Sequence, residues 1–247
     1  MLSKNFIKQV RQLEQKKYRQ REGLFVAEGP KVVGDLLRAG FVPRQLVATK
    51  EWEEAPFQGE VTEVTPDELR KVSFLQHPQQ VLGVFPLPHP AAESLPTGTL
   101  SLALDGVQDP GNLGTIIRIA DWFGITSIFC SPDTADAWNP KVVQATMGSI
   151  AHVSIVYTEL SSLLSGTSMP IYGTLLDGKN IYQQELAAEG VIVMGNEGKG
   201  ISAAIRQLVT QPLLIPCFNS GETAESLNVA IATAITCAEF KRRSLAK

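Results

Sequence analysis

The chain has 247 residues, 44% hydrophobic and 19% charged, with a net charge of −3 at pH 7, which is enough for one large domain or two modest ones with real cores. No apolar run approaches the roughly 20 residues of a membrane-spanning helix, and MLSKNFIKQVRQLEQKK at the start lacks the apolar stretch of a signal peptide, so the chain reads as cytoplasmic. Cys130, Cys217 and Cys237 are odd in number and without CxxC pairing, which argues against a disulfide framework or a zinc knuckle, and no metal site is suggested.

In the first 21 residues Lys4, Lys8, Arg11, Lys16, Lys17, Arg19 and Arg21 face a single acid, Glu14. Phe6, Val10 and Leu13 follow helical spacing, which predicts one amphipathic helix with its basic side outward. Such a patch can neutralise nucleic-acid phosphates even on an acidic protein, because affinity follows local charge. By charge alone the same run describes a solvated helix face. GLFVAEGPKVVGDLLRAG, 23–40, predicts a short strand, a turn at Glu28-Gly29-Pro30, and a helix closed by Gly40 after Arg38. Strand-like QLVAT and EVTEVT follow, then a helix opened by Thr65-Pro66-Asp67-Glu68, then VLGVF. These make a small α/β domain, 1–88. The Pro-rich stretch 89–98 reads as a linker. From Thr99 strands and helices alternate to residue 247, which predicts a mainly parallel sheet covered on both faces by helices.

Three blocks in this second domain join a strand or turn to the start of a helix, where α/β enzymes place their ligands. LDGVQDPGNLGTIIRIADWFG, 104–124, carries Leu113, Ile116, Ile117 and Ala120 on one core-facing stripe. Arg118 lies about 140° round the helix from Leu113 at roughly 100° per residue, away from that stripe. Alone it would be a surface arginine, and Asn112 a helix N-cap. VIVMGNEGKGIS, 191–202, is a strand running into a glycine-rich turn and a helix from Ile201 or Ser202. Glycines there let backbone N–H groups approach a ligand, but the turn lacks the GK[ST] of a P-loop and the G-x-G-x-x-G spacing of a dinucleotide site. ESLNVAIATAITCAEFKRR, 225–243, follows a predicted strand from Leu213 to Cys217, and Ser226 or Asn228 could cap its helix.

In order and wording the three blocks resemble the SpoU (TrmH) family of RNA ribose 2′-O-methyltransferases. VAEGPKVV, 26–33, similarly resembles the L30-like substrate-binding domain that precedes the catalytic domain in many members. The resemblance implies a knotted C-terminal domain threaded as a trefoil, S-adenosylmethionine as cofactor, RNA as substrate, and a homodimer. It assigns Leu175, Gly195, Ile215 and Leu227 to the cofactor. It also assigns a catalytic group of Asn112, Arg118, Glu197, Ser226 and Asn228. Arg118 would orient the acceptor hydroxyl, bind the adjacent phosphate or stabilise the alkoxide, with Glu197 and Asn228 holding its guanidinium and Asn112 helping to bind ribose or phosphate. The family's Pro-Met-Xaa-Gly lead into the third block is replaced here by Pro216-Cys217-Phe218-Asn219-Ser220-Gly221. By analogy, a separate RNA-binding domain favours ribosomal over transfer RNA.

Two alternatives come from other classes. One is an RNA-binding protein that has kept the fold without catalysis. The other is a nucleotide-binding oxidoreductase built on GNEGKG, against which stands the lack of an acidic residue closing PLLIPC. A hydrolase has less behind it, since GxSxG is absent and His77, His89 and His152 have no motif context.

Overall fold

Apolar periodicity decides where the elements fall, and the computed structural model describes residues 2–52, 57, 59–88, 94–219 and 225–244. In chain order they are α1 (Lys4–Gln12), α2 (Lys16–Glu22), β1 (Leu24–Glu28), α3 (Pro30–Arg38), β2 (Gln45–Ala48), β3 (Thr62–Glu63), α4 (Pro66–Val72) and β4 (Val81–Pro86). There follow β5 (Leu100–Asp105), α5 (Pro110–Trp122), β6 (Ser127–Cys130), α6 (Pro140–Ala145), β7 (Ser154–Tyr157) and α7 (Leu160–Ser165). The last are β8 (Ile171–Asn180), β9 (Gly190–Gly195), α8 (Ala203–Arg206), β10 (Gln211–Leu214) and α9 (Val229–Ser244). Two compact units result, one of residues 1–89 with 136–152, the other of 90–135 with 153–247. Among the described residues no helix is long and apolar enough to cross a membrane.

The first unit holds a four-stranded sheet in the order β1-β4-β2-β3, with β4 antiparallel to both neighbours. Phe6 and Val10 of α1 pack with Val26, Val47, Leu69, Leu82 and Val84 in its core. The single N-terminal helix read from the sequence is two. The amides of Leu13, Glu14 and Gln15 bond the carbonyls three residues back, and Gln15 is then extended, so the helix tightens and stops. The side chain of Arg19 donates to the carbonyls of Leu13 and Glu14, each at 2.7 Å, and so satisfies the acceptors this break releases. Thr65 and Glu68 form a reciprocal capping box at the start of α4. Segment 136–152 joins this unit through Asp136, paired with Arg19 at 2.5 Å, and through Trp138 against Phe25. Gly148, at φ +98°, lies where a Cβ would meet the Asp35 carboxylate at 1.9 Å.

The second unit is a six-stranded sheet in the order β10-β8-β9-β5-β6-β7, with every pairing parallel. Its central strands β5 and β9 are buried along their whole length, as a sheet covered on both faces requires. Leu113, Ile116, Ile117 and Ala120 are 0% exposed along α5, each large side chain contributing about 1.5–3 kcal/mol of hydrophobic stabilisation. The strand expected at 213–217 begins and ends earlier, at 211–214, because β10 pairs only with β8 and that pairing stops at Leu214. Opposite β10 the register jumps. Pro212 faces Gly173 and Leu213 faces Lys179, so residues 174–178 of β8 have no partner on β10 and loop out of the ladder.

Candidate active site

In the second unit the three blocks meet at the strand ends. Asp109 caps α5, its Oδ1 accepting the Asn112 amide at 2.8 Å, with Pro110 at the first helical position. Asn112 is therefore not the cap, and its side chain is left for other work. The turn after β9 is shaped by Asn196. Its Oδ1 accepts the amides of Gly198 and Lys199, each at 3.0 Å, and its Nδ2 donates to the Gly106 carbonyl at 2.7 Å. Asp105, at the end of β5, accepts the Ser202 amide at 2.6 Å and closes the far side of the turn.

So held, Glu197 reaches the N-terminus of α5. Its carboxylate accepts the backbone amides of Gln108 at 3.3 Å and Asp109 at 3.2 Å, and the Nδ2 of Asn112 at 3.0 Å. Partial burial pushes the Glu197 pKa up, but these donors outweigh it and hold the group below the usual carboxylate range. An ionised carboxylate only accepts hydrogen bonds, so Asn112 must turn its NH2 toward it and its oxygen away. That oxygen accepts the Nδ2 of Asn228 at 2.9 Å. The Asn228 oxygen accepts the amides of Ala230 at 2.9 Å and Ile231 at 3.3 Å, capping α9. One directed hydrogen-bond chain thus runs from the third block through the first to the second.

Beside it lies a cleft of about 510 Å³, within the range of small-molecule sites. Leu175, Gly195, Ile215 and Leu227 all line it, together with Glu197 and Ser226. One wall is the looped-out part of β8, from Thr174 to Asp177. A Cβ on Gly195 would lie 2.3 Å from the Gly200 carbonyl carbon and the Ile201 nitrogen, so only glycine lets the turn close against the strand. Apolar side chains and main chain make most of the lining, with Asp177, Glu197 and Glu225 offset by Lys199 and Arg206. The size, the mixed apolar and backbone walls and the surplus of carboxylates suit an adenosyl group bearing a cationic sulfonium. Asn196, Asp105 and Thr174 were missed as site builders. The GNEGKG turn contained the first of them and the block 104–124 the second, without marking either role, and Thr174 lies outside all three blocks.

Arg118 is exposed on α5 and makes no side-chain hydrogen bond or ion pair with a described residue. Glu197 and Asn228 do not hold its guanidinium, as the resemblance implied. Both are engaged by Asn112, which stands between them. Ser226 lines the cleft and caps nothing, since Asn228 has that place. The loop ahead of the third block lies partly outside the described residues, at 220–224, as do His89 and the linker's 89–93.

The basic run of the first unit divides. Arg19 is 2% exposed and spent on Asp136 and two carbonyls, so it is no RNA ligand. Arg11 donates to the Ser73 carbonyl and lies over the Phe74 ring, and Arg21 pairs with Glu22 over Tyr18. Lys4, Lys8, Lys16 and Lys17 are exposed. In the second unit Arg242 and Arg243 both bond Glu239, which their positive charge and hydrogen bonds hold down to about 2. They close the C-terminal end of α9.

Residues 99–238 match the model of the SpoU rRNA methylase family, and residues 4–83 match an MRM3-like substrate binding domain. The chain is 33% identical to the 23S rRNA (guanosine(2553)-2′-O)-methyltransferase of Bacillus subtilis over 93% of each chain. A solved structure described as an RNA methyltransferase of the TrmH family from Porphyromonas gingivalis shares 42% identity and a TM-score of 0.87, covering 98% of this chain and 99% of that one. The AdoMet-bound rRNA methyltransferase from Sinorhizobium meliloti shares 31% identity and a TM-score of 0.86, over 98% and 96%. The family match and these relatives define the class: an S-adenosylmethionine-dependent methyltransferase acting on RNA ribose. The chain belongs to the SpoU family of such enzymes, which removes the oxidoreductase alternative.

Proposed function

We propose that the chain methylates a ribose 2′-hydroxyl of ribosomal RNA, with residues 99–247 as the catalytic domain and 1–88 as the substrate-recognition domain. The observation that carries this reading is the Glu197–Asn112–Asn228 chain at the edge of a cleft of cofactor size. Leu175, Gly195, Ile215 and Leu227 would hold S-adenosylmethionine, which supplies a methyl group already activated on a sulfonium. The protein's task is then to align the acceptor and manage one proton. Arg118 offers five donors and a permanent charge, so it binds the phosphate beside the acceptor ribose and stabilises the developing alkoxide. Asn112 and Asn228, locked in orientation by Glu197 and the start of α9, keep the α5 and α9 termini in register. Ser226 contacts the ribose or cofactor at the cleft mouth.

Ribosomal RNA is favoured over transfer RNA because the relatives are named for ribosomal substrates and a substrate-binding domain is matched at 4–83. The location is read as cytoplasmic, beside ribosome assembly. The trefoil threading rests on the family resemblance. A homodimer would cover Trp122 and Ile231, 84% and 52% exposed on the adjoining helices α5 and α9.

Incubation with methyl-labelled S-adenosylmethionine and total RNA from a strain lacking the gene tests the reading. Label at an alkali-resistant linkage in ribosomal RNA is expected. Label confined to transfer RNA would overturn the substrate. Cofactor binding without transfer to any RNA would favour the RNA-binding protein that has lost catalysis.

A further inference from the structure

The first unit contains a second concavity, of about 520 Å³, between α1, α2 and the starts of β1 and β2. Lys8 of α1 and Arg44, just ahead of β2, line it from different elements. Both are exposed, and neither side chain bonds a described residue. The acid in the lining, Glu22, is taken up by Arg21 at 2.7 Å, and Arg21 is itself held 4.8 Å over the Tyr18 ring. The groove therefore keeps two free cations and no free anion. It also presents four side-chain amides, Asn5, Gln9, Gln12 and Gln45, none with a side-chain partner among the described residues.

Free cations select phosphate, and amides offer two donors and an acceptor in one plane, which matches the edge of a nucleobase. A base in an A-form duplex has that edge engaged, and the duplex presents a broad shallow surface that does not enter a groove of this size. Recognition of this kind uses unstacked bases. An acidic peptide would also satisfy Lys8 and Arg44, and competition by oligoglutamate separates it from RNA. The groove opens at the start of β1, the opposite end of that strand from the Glu28-Gly29-Pro30 turn.

We propose that this groove binds an unpaired nucleotide of the RNA substrate, its phosphate on Lys8 and Arg44 and its base edge on the amides of α1. The proposal rests on the reading of the chain as an RNA methyltransferase and adds which feature of the RNA the first unit grips.

The test is fluorescence anisotropy of the full chain with a labelled, unstructured RNA strand and with a blunt RNA duplex of equal length, over a range of salt. The double variant K8Q/R44Q should weaken single-strand binding about tenfold or more. It should also reduce the salt slope by about 0.7, the value for one phosphate on a single strand. The double variant Q9A/Q12A should erase preference among the homopolymers of A, C, G and U while leaving the slope unchanged. An unchanged slope in K8Q/R44Q, equal losses for duplex and single strand, or equal competition by oligoglutamate would each overturn the proposal. A K4Q/K17Q variant that alone loses affinity would move the RNA contact out of the groove. Methyl transfer by the unaltered chain, measured in parallel, shows separately whether the methyltransferase reading stands.

Discussion

Arg19 and Arg118 are both helix arginines, one in each unit, and their surroundings are opposite. Arg19 is 2% exposed, with its donors spent on Asp136 and the carbonyls of Leu13 and Glu14. Arg118 is exposed, and its donors are open to whatever arrives. A guanidinium with filled donors is scaffold, and its removal registers in stability. One with open donors is equipment for an anion, and its removal registers in turnover.

The largest effect should come from breaking the buried member. Arg19→Ala strands a carboxylate and two carbonyls and is expected to cost about 3–5 kcal/mol in denaturant unfolding. Arg19→Lys should recover only part, lacking the planar fork. A loss under about 1 kcal/mol would make the pair an incidental contact. Arg118→Ala is the reverse case. Methyl transfer should fall about 100-fold, equivalent to ~2.7 kcal/mol of transition-state stabilisation, while stability stays within about 0.5 kcal/mol and cofactor affinity is unchanged. Parallel loss of cofactor affinity would make Arg118 structural as well.

Asn228 sharpens the contrast because it serves both purposes. Asn228→Ala removes a helix cap and should cost about 1 kcal/mol. Asn228→Asp keeps the cap acceptor but turns a second acceptor on the Asn112 oxygen, so thermal stability should return while turnover does not. Recovery of both would show the hydrogen-bond chain to be dispensable.

The smallest effect is on the acid limb of stability. Glu197 is held below its ordinary 4.5, so its contribution is complete above that value and is lost as pH falls through the folded-state pKa. Glu28 has the opposite sign. Burial raises its pKa against the hydrogen bonds from Ser73 and Phe74 and the charge of Arg11, so it costs stability as pH rises above 4.5. Glu197→Gln should flatten the melting-temperature profile below pH 4.5, and Glu28→Gln should raise the neutral plateau slightly. A profile unchanged in both would remove these groups from the pH dependence.

Much of the second unit was legible in the sequence because burial on both faces writes itself as continuous apolar runs. LSLALD reads as a buried strand, VIVM as a strand, and the stripe through Leu113 and Ile117 as a packed helix, without tertiary knowledge. The site residues Asn112, Glu197 and Asn228 came from the motif resemblance, whereas their wiring did not. DPGN offers two caps in four residues, and only the helix start at Pro110 decides for Asp109 and frees Asn112. The basic run misled in one respect, since burial of Arg19 depends on an aspartate 117 residues away. Charge counting cannot see such a partner. Nor does periodicity reveal the loop in β8: Asp177-Gly178 marks a turn, but nothing in the pattern shows that pairing with β10 resumes at Lys179.

The looped-out part of β8 also dates the cleft within the life of the chain. Every residue lining it falls between Thr174 and Ala232, so a ribosome must complete most of the polypeptide before any pocket exists. A product truncated ahead of Leu213 would carry β5 through β9 but lack the wall that runs from Leu213 to Ala232. During synthesis the sheet can form early, whereas cofactor capture waits for the last strand and helix to arrive.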